Sequence, residues 1–495
     1  MAEAHPRPKP RWRRWVWLAA GLGTLPVVVV AGHLGLVWWN DPCDPLPLPP
    51  PGCGDASRQS HARPAEVVAV CPVLADAESQ LGALVRGAAA AGQHIAIAGA
   101  RHSMGGHTLL DGAIVVDMTP LAHVRVDAAS KTVTAGAGAT WRQVVPRLQE
   151  HGLAVKVMQS NDDFTVGGSL AVNCHGWQQG LAPIASTVRS LRVVTTAGDT
   201  VTCTRDNEHR ELFRHVLGGY GLFGIITEAT LDVVDDAFYE VHTVTVAVSD
   251  YGRAFRELTC DPAVGMAYGR ISVAPMTFLD RASVNVLRTP ATGAPKRVAA
   301  DPADGIERIV FRGTAGSGLG KQLRDWGEAL FGETGGGWRS VLQAEPVAKF
   351  ANRDPRRVDV LQECFVPMAR LDGFVSAIRP LFREHAADLL NITVRDVQPD
   401  LDTALAYARE PVFGVVMLVH AEAGSAADER VAALTRAVID VALAIGGTYY
   451  LPYRPHATVE QFQRGYPQAT AFFAAKRRLD PHGVFANQFL TRYGR

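Results

Sequence analysis

Three glycine-rich turns, each beside an apolar stretch, constrain this chain of 495 residues more than any other feature. The first is Gly99–His107, between the apolar runs Ile95–Ala98 and Ala113–Val116, and the others lie in Phe164–Gly180 and Leu217–Leu231. Glycine costs backbone entropy and buries no side chain, so packing alone does not account for three such turns. Close approach of the backbone to one extended ligand accounts for all three. Amides converging in the first turn would suit an anion such as a pyrophosphate.

The composition indicates a globular protein of two or three domains. Hydrophobic residues make up 47% of the chain, which is enough to build a large core. Basic and acidic residues are equal at 49 each, and no basic stripe with interleaved aromatic residues is present. The sequence therefore argues against nucleic acid as a partner.

The amino terminus has the composition of a membrane segment. Basic residues at positions 7, 9, 11, 13 and 14 precede Trp15–Trp39, which contains no Asp, Glu, Lys or Arg and is long enough to cross a bilayer. We predict a retained single-pass anchor rather than a cleaved signal peptide, because no small-residue cleavage site follows the apolar core. The basic residues predict that residues 1–40 start in the cytoplasm and that the catalytic part is extracytoplasmic.

Residues 41–63 have the composition of a linker. Asp41–Pro51 carries six prolines and predicts a stiff, extended spacer that holds the globular part away from the membrane. Cys43 and Cys53 would permit a disulfide there, although seven cysteines in total do not require one.

From Pro64 onward short strands alternate with helices. The periodicity predicts helices at Ala75–Ala91 and Thr140–His151 and short strands at Val124–Val126 and Lys131–Ala135. Too many short strands pair locally for a doubly wound sheet, so the pattern predicts an α+β fold.

A second α+β region is predicted after Val234, as an antiparallel sheet with helices on one face. Its predicted strands and helices are, in turn, Tyr239–Val248, Leu361–Val366 and Val412–Val419, then Leu371–His385 and Asp428–Ile445. Within it, Gly313–Lys321 resembles a phosphate-binding P-loop only in part. Ala315 stands at the first glycine and Gln322 at the metal-binding hydroxyl, so a flexible cap loop is the better interpretation.

Residues from about Pro64 to Val234 resemble the FAD-binding domain of the vanillyl-alcohol oxidase and p-cresol methylhydroxylase superfamily. Four segments match its motifs in the same order. They are the pyrophosphate loop at Gly99–His107, TVxxGAGxxW at Thr132–Gly138 with Trp141, the TVGGS/T turn at Thr165–Ser169, and the LGGxGxFGIITxA run of cytokinin dehydrogenases at Leu217–Leu231. The resemblance implies a two-part FAD-binding domain at residues 64–238 and an α+β substrate or cap domain at 239–448. A C-terminal segment at 449–495 would return to the flavin.

The resemblance also implies which residues contact FAD, with His102 matching the histidine that many members attach covalently to the flavin. The implied contacts are, from the pyrophosphate to the flavin ring and its edges, Gly99, Ala100, Arg101, His102, Ser103, Met104, Thr165, Gly167, Gly168, Ser169, Asn173, Cys174, His175, Gly176, Gly224, Ile225 and Ile226. His107 has no role in that family that we can assign. A metal pair of His102 and His107 lacks a suitable third ligand nearby, so we predict no metal site.

The tail carries a second resemblance, to the segments that end aldonolactone and alditol oxidases. YRPHATVEQF and KRRLDPHGVFANQFL would place His456 and Asn487 against the flavin, and Arg395 matches an arginine of the E-x-R strand in alditol oxidases. Thr393 and Val459 stand where those enzymes have a glutamate and a lysine of the polyol site. We therefore expect a substrate other than a small polyol.

Three residues are our candidates for catalysis. His456 is the first candidate for the base, because an imidazole can be neutral near pH 7. Arg395 would orient a hydroxyl group or stabilise negative charge, and Glu363 is a further candidate. Tyr449, Tyr450 and Tyr453 are possible substrate contacts.

The sequence thus predicts a membrane-anchored FAD oxidoreductase that oxidises an alcohol, sugar or lactone-like small molecule by hydride transfer to flavin N5, with O2 as acceptor. One alternative is a dehydrogenase that passes electrons to a quinone or a redox partner. Another is a flavin-binding protein whose catalytic site has decayed.

Overall fold

The structure is a computed structural model that describes residues 29–42, 44, 46–291, 293–295, 304–331 and 335–494. Its first helix, α1, covers residues 29–40. Residues 15–28 of the predicted membrane span, and Cys43, lie outside the described residues. Among the residues that are described, no helix is both long and apolar enough to cross a bilayer.

The amino-terminal domain contains nine strands and four helices. They are, in chain order, β1 (Glu66–Ala69), α2 (Leu74–Ala91), β2 (Ile95–Ala98), β3 (Ile114–Asp117), β4 (Val124–Asp127), β5 (Thr132–Gly136), α3 (Trp141–Gln149), β6 (Leu153–Val155), α4 (Val166–Ala171), β7 (Val188–Val194), β8 (Thr200–Cys203), α5 (Arg210–Val216) and β9 (Ile225–Asp235).

Two sheets share this domain. A parallel sheet has the strand order β1-β3-β2, and an antiparallel sheet has the order β4-β5-β9-β7-β8 with β6 paired to β9. The turns after β2 and β5 both contact the start of α4, because a Cβ on Gly99 would lie 2.3 Å from Oγ1 of Thr165 and the amide of Gly167 donates to Ala137 O (2.9 Å). Strand ends from both sheets thus bring the glycine-rich turns to one place.

The cap domain and the tail contain the remaining elements. These are β10 (Phe238–Ala247), α6 (Tyr251–Thr259), β11 (Val264–Ile271), β12 (Arg281–Arg288), α7 (Asp304–Arg312), α8 (Gly318–Phe331), β13 (Gly336–Trp338), α9 (Arg339–Leu342), β14 (Arg357–Pro367), α10 (Leu371–Glu384), β15 (Asp388–Val397), β16 (Val412–Glu422), α11 (Ser425–Ala444), β17 (Thr448–Tyr449), α12 (Val459–Gly465), α13 (Ala469–Leu479) and α14 (Gln488–Tyr493).

An eight-stranded sheet forms the cap domain, in the order β13-β10-β12-β11-β15-β16-β14-β17. Its pairings are antiparallel, and β14, β15 and β16 form its longest ladders. Helices α10 and α11 pack on each other and on β14. The predicted flexible loop Gly313–Lys321 is instead a five-residue turn, residues 313–317, followed by the start of α8, since α7 ends at Arg312 and α8 begins at Gly318.

The linker packs against the amino-terminal domain instead of extending away from it. Oδ2 of Asp55 accepts a hydrogen bond from the amide of Gly106 (2.9 Å), and Arg101 donates to Pro49 O. Asp55 is fully buried. If this segment were the predicted extended spacer, the carboxylate of Asp55 and the amide of Gly106 would lose their hydrogen bond to each other. Cys53 forms no disulfide with any described residue.

The tail returns to β2. The amide of Ile95 donates to Val484 O (2.6 Å), and the amide of Ala486 donates to Ile95 O (3.0 Å). Asp480 stabilises this crossing, because its carboxylate accepts from the amides of Val484 and Phe485, each at 2.9 Å.

Candidate functional site

A cavity of about 1600 Å³ lies between the glycine-rich turns of the amino-terminal domain and one face of the cap sheet. Most small-molecule pockets measure roughly 300–1,000 Å³. The cavity therefore has room for a dinucleotide together with a substrate.

The first glycine-rich turn lines one end of this cavity through residues 99–104. The amides of Ala100, Arg101, His102 and Ser103 donate no hydrogen bond to any residue that the structure describes. Arg101 has a φ of 60°, which turns the chain within this run. Consecutive amides without protein acceptors can donate to an anionic group, which is compatible with the pyrophosphate that the sequence predicts at this turn.

Glycines let the first and second turns approach each other. A Cβ atom on Gly99 would lie 2.3 Å from Oγ1 of Thr165, and one on Gly167 would lie 2.8 Å from Cβ of Ala137. The same Thr165 hydroxyl accepts from the amide of Gly168 (3.2 Å) and caps α4. A larger residue at position 99 would displace the capping threonine, so this junction tolerates little change.

The third turn forms another part of the cavity wall. Gly221 and Gly224 line it with φ values of 74° and 158°, and a Cβ on Gly224 would lie 2.7 Å from Cγ1 of Val193. The buried ammonium of Lys476 donates to Leu222 O (2.7 Å) and so stabilises the turn from the tail. The residues present thus fit an extended dinucleotide such as FAD along all three turns.

His102 lies at the cavity wall, stacked on Phe164 with 4.5 Å between ring centroids. Burial lowers the pKa of its imidazole below the usual value of 6.5, and the Coulomb attraction of Asp163 only partly opposes this shift. The ring is therefore neutral at pH 7, which is the form that a nucleophilic nitrogen needs.

A polar cluster lies where β14 and β15 line the cavity. Oε1 of Glu363 is 3.0 Å from Nε2 of His175, and the hydroxyl of Tyr453 donates to Oε2 of Glu363 at the long limit of 3.5 Å. The contact between His175 and Glu363 is close but not aligned as a hydrogen bond. Within the described chain, Oε1 of Glu363, both ring nitrogens of His175 and Nε of Arg395 have no hydrogen-bond partner.

Glycine and strand register bring this cluster together. Glu363 pairs with Val416, which pairs with Thr393 on the next strand, so β14, β15 and β16 present alternate residues to the same face. A Cβ on Gly414 would lie 2.7 Å from Oε1 of Glu363. The absence of a side chain at position 414 therefore leaves room for the carboxylate of Glu363. Burial raises the pKa of Tyr453 above its usual value, so its hydroxyl keeps its proton at pH 7.

The structure places His456 outside the group of residues that line the cavity. Its Nδ1 is 3.3 Å from Oγ1 of Thr435, and its Nε2 is 3.4 Å from Oδ1 of Asp428, which also pairs with Arg454. The hydrogen bond from His456 is the largest cause that holds the pKa of Asp428 below its usual value. In this position His456 joins the tail to α11.

Several other predicted residues stabilise the cavity wall from behind. Asn487 caps α14 and donates to His107 O (2.9 Å) and Tyr220 O (2.8 Å), which joins the first turn to the third. Ser169 accepts from Nε1 of Trp141 (2.9 Å) and Asn173 donates to Asp400 (2.9 Å). The predicted residues that do not line the cavity are Ser169, Asn173, Gly176, Ile225, Tyr449, His456 and Asn487.

The remaining predicted residues line the cavity. They are Gly99, Ala100, Arg101, His102, Ser103, Met104, Thr165, Gly167, Gly168, Cys174, His175, Gly224, Ile226, Glu363, Arg395, Tyr450 and Tyr453. Thr393 lies on the same sheet face, whereas Val459 is an exposed residue at the start of α12. Valine in place of the polyol-binding lysine at position 459 therefore does not change the lining of this cavity.

His107 is the residue for which the sequence suggested no role. It lines the cavity, stacks on Tyr220 with 5.0 Å between ring centroids, and is buried without a hydrogen-bond partner for either nitrogen among the described residues. Burial lowers the pKa of His107 to about 3, so it is an uncharged aromatic packing group at neutral pH. Its apolar partners come from distant segments, so no local pattern could have identified this role.

The cavity also has an apolar arm, where it extends between α1 and the two helices α7 and α8. Val30, Leu34, Val310, Phe311 and Leu323 line this arm. Such a lining suits a hydrocarbon chain or another apolar group.

Comparison with known proteins supports an FAD-binding domain in this chain. A family model described as an FAD binding domain matches residues 70–204. The decaprenylphosphoryl-beta-D-ribose oxidase of Mycolicibacterium smegmatis is 26% identical over 452 residues, which are 87% of this chain and 95% of that protein. A match over this share of the chain extends well beyond the FAD-binding domain into the cap domain.

Two shorter matches fall on plant dehydrogenases. Cytokinin dehydrogenase 6 of Oryza sativa subsp. japonica is 36% identical over 212 residues, which are 40% of either chain. The mitochondrial L-galactono-1,4-lactone dehydrogenase 2 of the same organism is 37% identical over 110 residues, or 22% of this chain and 19% of that protein. The predicted FAD-binding domain is confirmed, and the chain has homologues among FAD-dependent oxidases and dehydrogenases.

Proposed function

We propose that this chain, an FAD-dependent oxidoreductase with a p-cresol methylhydroxylase-type FAD-binding domain, oxidises a hydroxyl-bearing carbon of a sugar-like substrate. The proposal rests on the cavity, which joins a run of free amides at one end to a buried polar cluster at the other. FAD, when bound, would accept a hydride from the substrate carbon. The protein then has to hold the substrate hydroxyl and remove its proton.

Glu363 is our candidate for the proton acceptor. Its Oε1 atom is fully buried and has no hydrogen-bond donor among the described residues. It can therefore accept a hydrogen bond from a substrate hydroxyl and then the proton of that hydroxyl. Nε2 of His175 lies 3.0 Å away and would share the proton that Glu363 receives. The hydroxyl of Tyr453 would keep the other carboxylate oxygen in place.

Arg395 is our candidate for orienting the substrate. It lines the cavity on the sheet face that carries Glu363, and no carboxylate of the described chain pairs with it. A cation without a counterion can donate to a substrate oxygen and stabilise negative charge that develops there.

The apolar arm favours a substrate with a hydrocarbon part. The Mycolicibacterium smegmatis relative that matches most of the chain is named for a decaprenylphosphoryl ribose, which joins a sugar to such a group. We propose a sugar that carries a long apolar substituent, rather than a free small polyol. The hydroxyl to be oxidised would contact Glu363, and the substituent would lie along Val30, Leu34 and Phe311.

The electron acceptor and the location are also proposals. We propose O2 as the electron acceptor, because the relative that matches most of the chain is named an oxidase. A membrane quinone is the second candidate, because relatives with shorter matches are named dehydrogenases. The charge-free sequence Trp15–Trp39 supports attachment of the chain to a membrane, with the catalytic part extracytoplasmic. Its last part, α1, packs on the cap domain, so we propose that α1 lies at the membrane surface and not across the bilayer. We further propose that His102 attaches FAD covalently.

One substrate panel tests this proposal. The full chain, purified in detergent with FAD, is mixed without oxygen with free alditols, aldonolactones, alkyl glycosides and prenylphosphoryl pentoses. We expect loss of oxidised-flavin absorbance with the last two classes and none with alditols. Bleaching by alditols alone would overturn the apolar substituent, and no bleaching by any of the four classes would overturn the proposed oxidation. Reoxidation by air or by a quinone analogue then identifies the acceptor.

A further inference from the structure

Helix α1 has two distinct faces. Its inner face lies against the cap domain, where Val30 and Leu34 line the cavity and Nε2 of His33 is 2.9 Å from Gly313 O. Beyond its end, Asp41 pairs with both Nε and Nη2 of Arg308. The outer face carries no charged residue and presents Leu36, Trp38 and Trp39, of which Trp39 is 79% exposed.

Helix α8 presents a similar stripe. Leu319, Trp326 and Leu330 lie seven and four residues apart, which places them on one face of a helix. All three are exposed, and Leu330 is 77% exposed. Next to the stripe, exposed Met276 is joined to α8 because its amide donates to Oε1 of Gln322 (3.1 Å).

The two sets of apolar side chains come from helices that contact each other. A Cβ on Gly320, the residue after Leu319, would lie 2.8 Å from Nε2 of His33. We call the six residues Leu36, Trp38, Trp39, Leu319, Trp326 and Leu330 the apolar face. Six exposed apolar side chains on two contacting helices are more than isolated exposure accounts for, and they favour contact with something apolar.

We propose that the apolar face lies on a lipid bilayer and places the α1 wall of the cavity against the membrane. The occupant follows from the chain itself, because α1 is the end of a charge-free stretch that begins at Trp15 and follows five basic residues. Tryptophan is the residue that membrane interfaces favour, and three of the six residues are tryptophan. α8 would thus be a second membrane contact, in addition to the amino-terminal segment.

The use of this arrangement for a substrate with an apolar substituent rests on the proposed function. The bilayer contact itself does not depend on flavin chemistry. The apolar arm is lined by the inner face of α1, so its hydrocarbon-binding surface would be one helix diameter away from lipid. A substrate with a hydrocarbon substituent could then enter without exposing that substituent to water, where apolar surface is unfavourable.

Photocrosslinking of the full chain in vesicles tests the bilayer contact. The chain is reconstituted with FAD into phosphatidylcholine–phosphatidylglycerol vesicles, and a photoreactive diazirine amino acid replaces Leu330, Met276 or Leu401 in separate preparations. Leu401 is the matched control, because it is 82% exposed but lies beside Asp400 and Asp402, which contact the amino-terminal domain. We expect several-fold more lipid adduct from positions 330 and 276 than from position 401.

A charged variant tests the same face independently. Trp326→Glu with Leu330→Glu should reduce the lipid adduct at position 276 several-fold, because two carboxylates would keep α8 out of the lipid. Equal lipid adducts at the three positions, or adducts to a second copy of the chain instead of lipid, would overturn the proposal. Flavin content and flavin reduction, measured on the same preparations, would report separately on the proposed oxidation.

Discussion

Nε2 of His175 lies 3.0 Å from Oε1 of Glu363 in the interior of the protein, where neither atom has a hydrogen-bond partner among the described residues. His175 comes from the loop after α4 of the amino-terminal domain, and Glu363 comes from the middle of β14 in the cap sheet. The pair therefore exists only when the two domains are together. Two buried polar groups in contact without an aligned hydrogen bond are costly, and a substrate hydroxyl would give them a partner.

Glu363→Gln should slow flavin reduction without releasing the flavin. The amide keeps the size of the carboxylate but accepts a proton poorly, so we expect a rate about 10²–10⁴-fold lower in anaerobic stopped-flow experiments. Glu422→Gln, at the exposed end of β16, is the matched control and should behave as wild type. A normal rate in the Glu363 variant would remove this carboxylate from proton transfer.

His456→Ala should leave flavin reduction nearly unchanged but make the protein less stable. His456 contacts Asp428 and Thr435 rather than the cavity, so its loss should weaken the junction of the tail with α11. The measurements are the reduction rate and the urea midpoint, compared with those of the Glu363 variant. If reduction slowed as much as in Glu363→Gln, the imidazole would have to reach the substrate in the loaded enzyme.

Gly99→Ala should weaken FAD binding. The new methyl group would lie 2.3 Å from Oγ1 of Thr165, and overpacking of this kind costs roughly 1–3 kcal/mol or displaces the loop. Gly87→Ala inside α2 is the control, because nothing lies within 4 Å of its Cβ position. Both glycine variants are made in the His102→Ala background, where FAD can dissociate, and equal FAD dissociation constants in fluorescence titration would show that the turn does not hold the dinucleotide.

His102→Ala should convert a covalent flavin into a dissociable one. We expect that flavin stays with acid-precipitated wild-type protein and appears in the supernatant of the variant, while both bind FAD in the native state. Absorbance spectra of the pellets and supernatants distinguish these results. Complete release from acid-precipitated wild-type protein would exclude the covalent bond but not FAD binding.

His107 should make the folded protein sensitive to acid. The pKa of His107 is about 3 in the folded state, below the usual value of 6.5, so the unfolded chain binds the proton more readily. The contribution of neutral His107 to the free energy of unfolding is complete above pH 6.5 and is lost as the pH falls from 6.5 towards 3. At pH 5 the loss is about 2 kcal/mol.

His107→Phe should remove much of that pH dependence, because phenylalanine can pack on Tyr220 and Phe489 without binding a proton. The measurement is the free energy of unfolding in urea at pH 7 and pH 5. His151→Gln, at an exposed position after α3, is the control and should keep the wild-type pH dependence. If both variants lost the same free energy of unfolding between pH 7 and pH 5, groups other than His107 would cause the acid sensitivity.

The sequence by itself predicted several helices and strands closely, and it identified three glycine-rich turns that the structure brings to one cavity. The helix predicted at Ala75–Ala91 is observed at Leu74–Ala91, and the strand predicted at Tyr239–Val248 is observed at Phe238–Ala247. Such features depend on local periodicity and on glycines, whose backbone freedom is visible in the residue type. For that reason the residue pattern alone was enough to predict a pyrophosphate site at the first turn.

Only the tertiary structure decided which polar residues share the cavity. Glu363, His175 and Tyr453 come from separate segments, and their meeting depends on strand register and on the contact between two domains. The same dependence moved His456 to the junction with α11 and left Val459 on the surface. Sequence determines which side chains are available and which backbone turns can form. Long-range packing, which no local pattern encodes, determines which of those side chains lie within a few ångströms of one another.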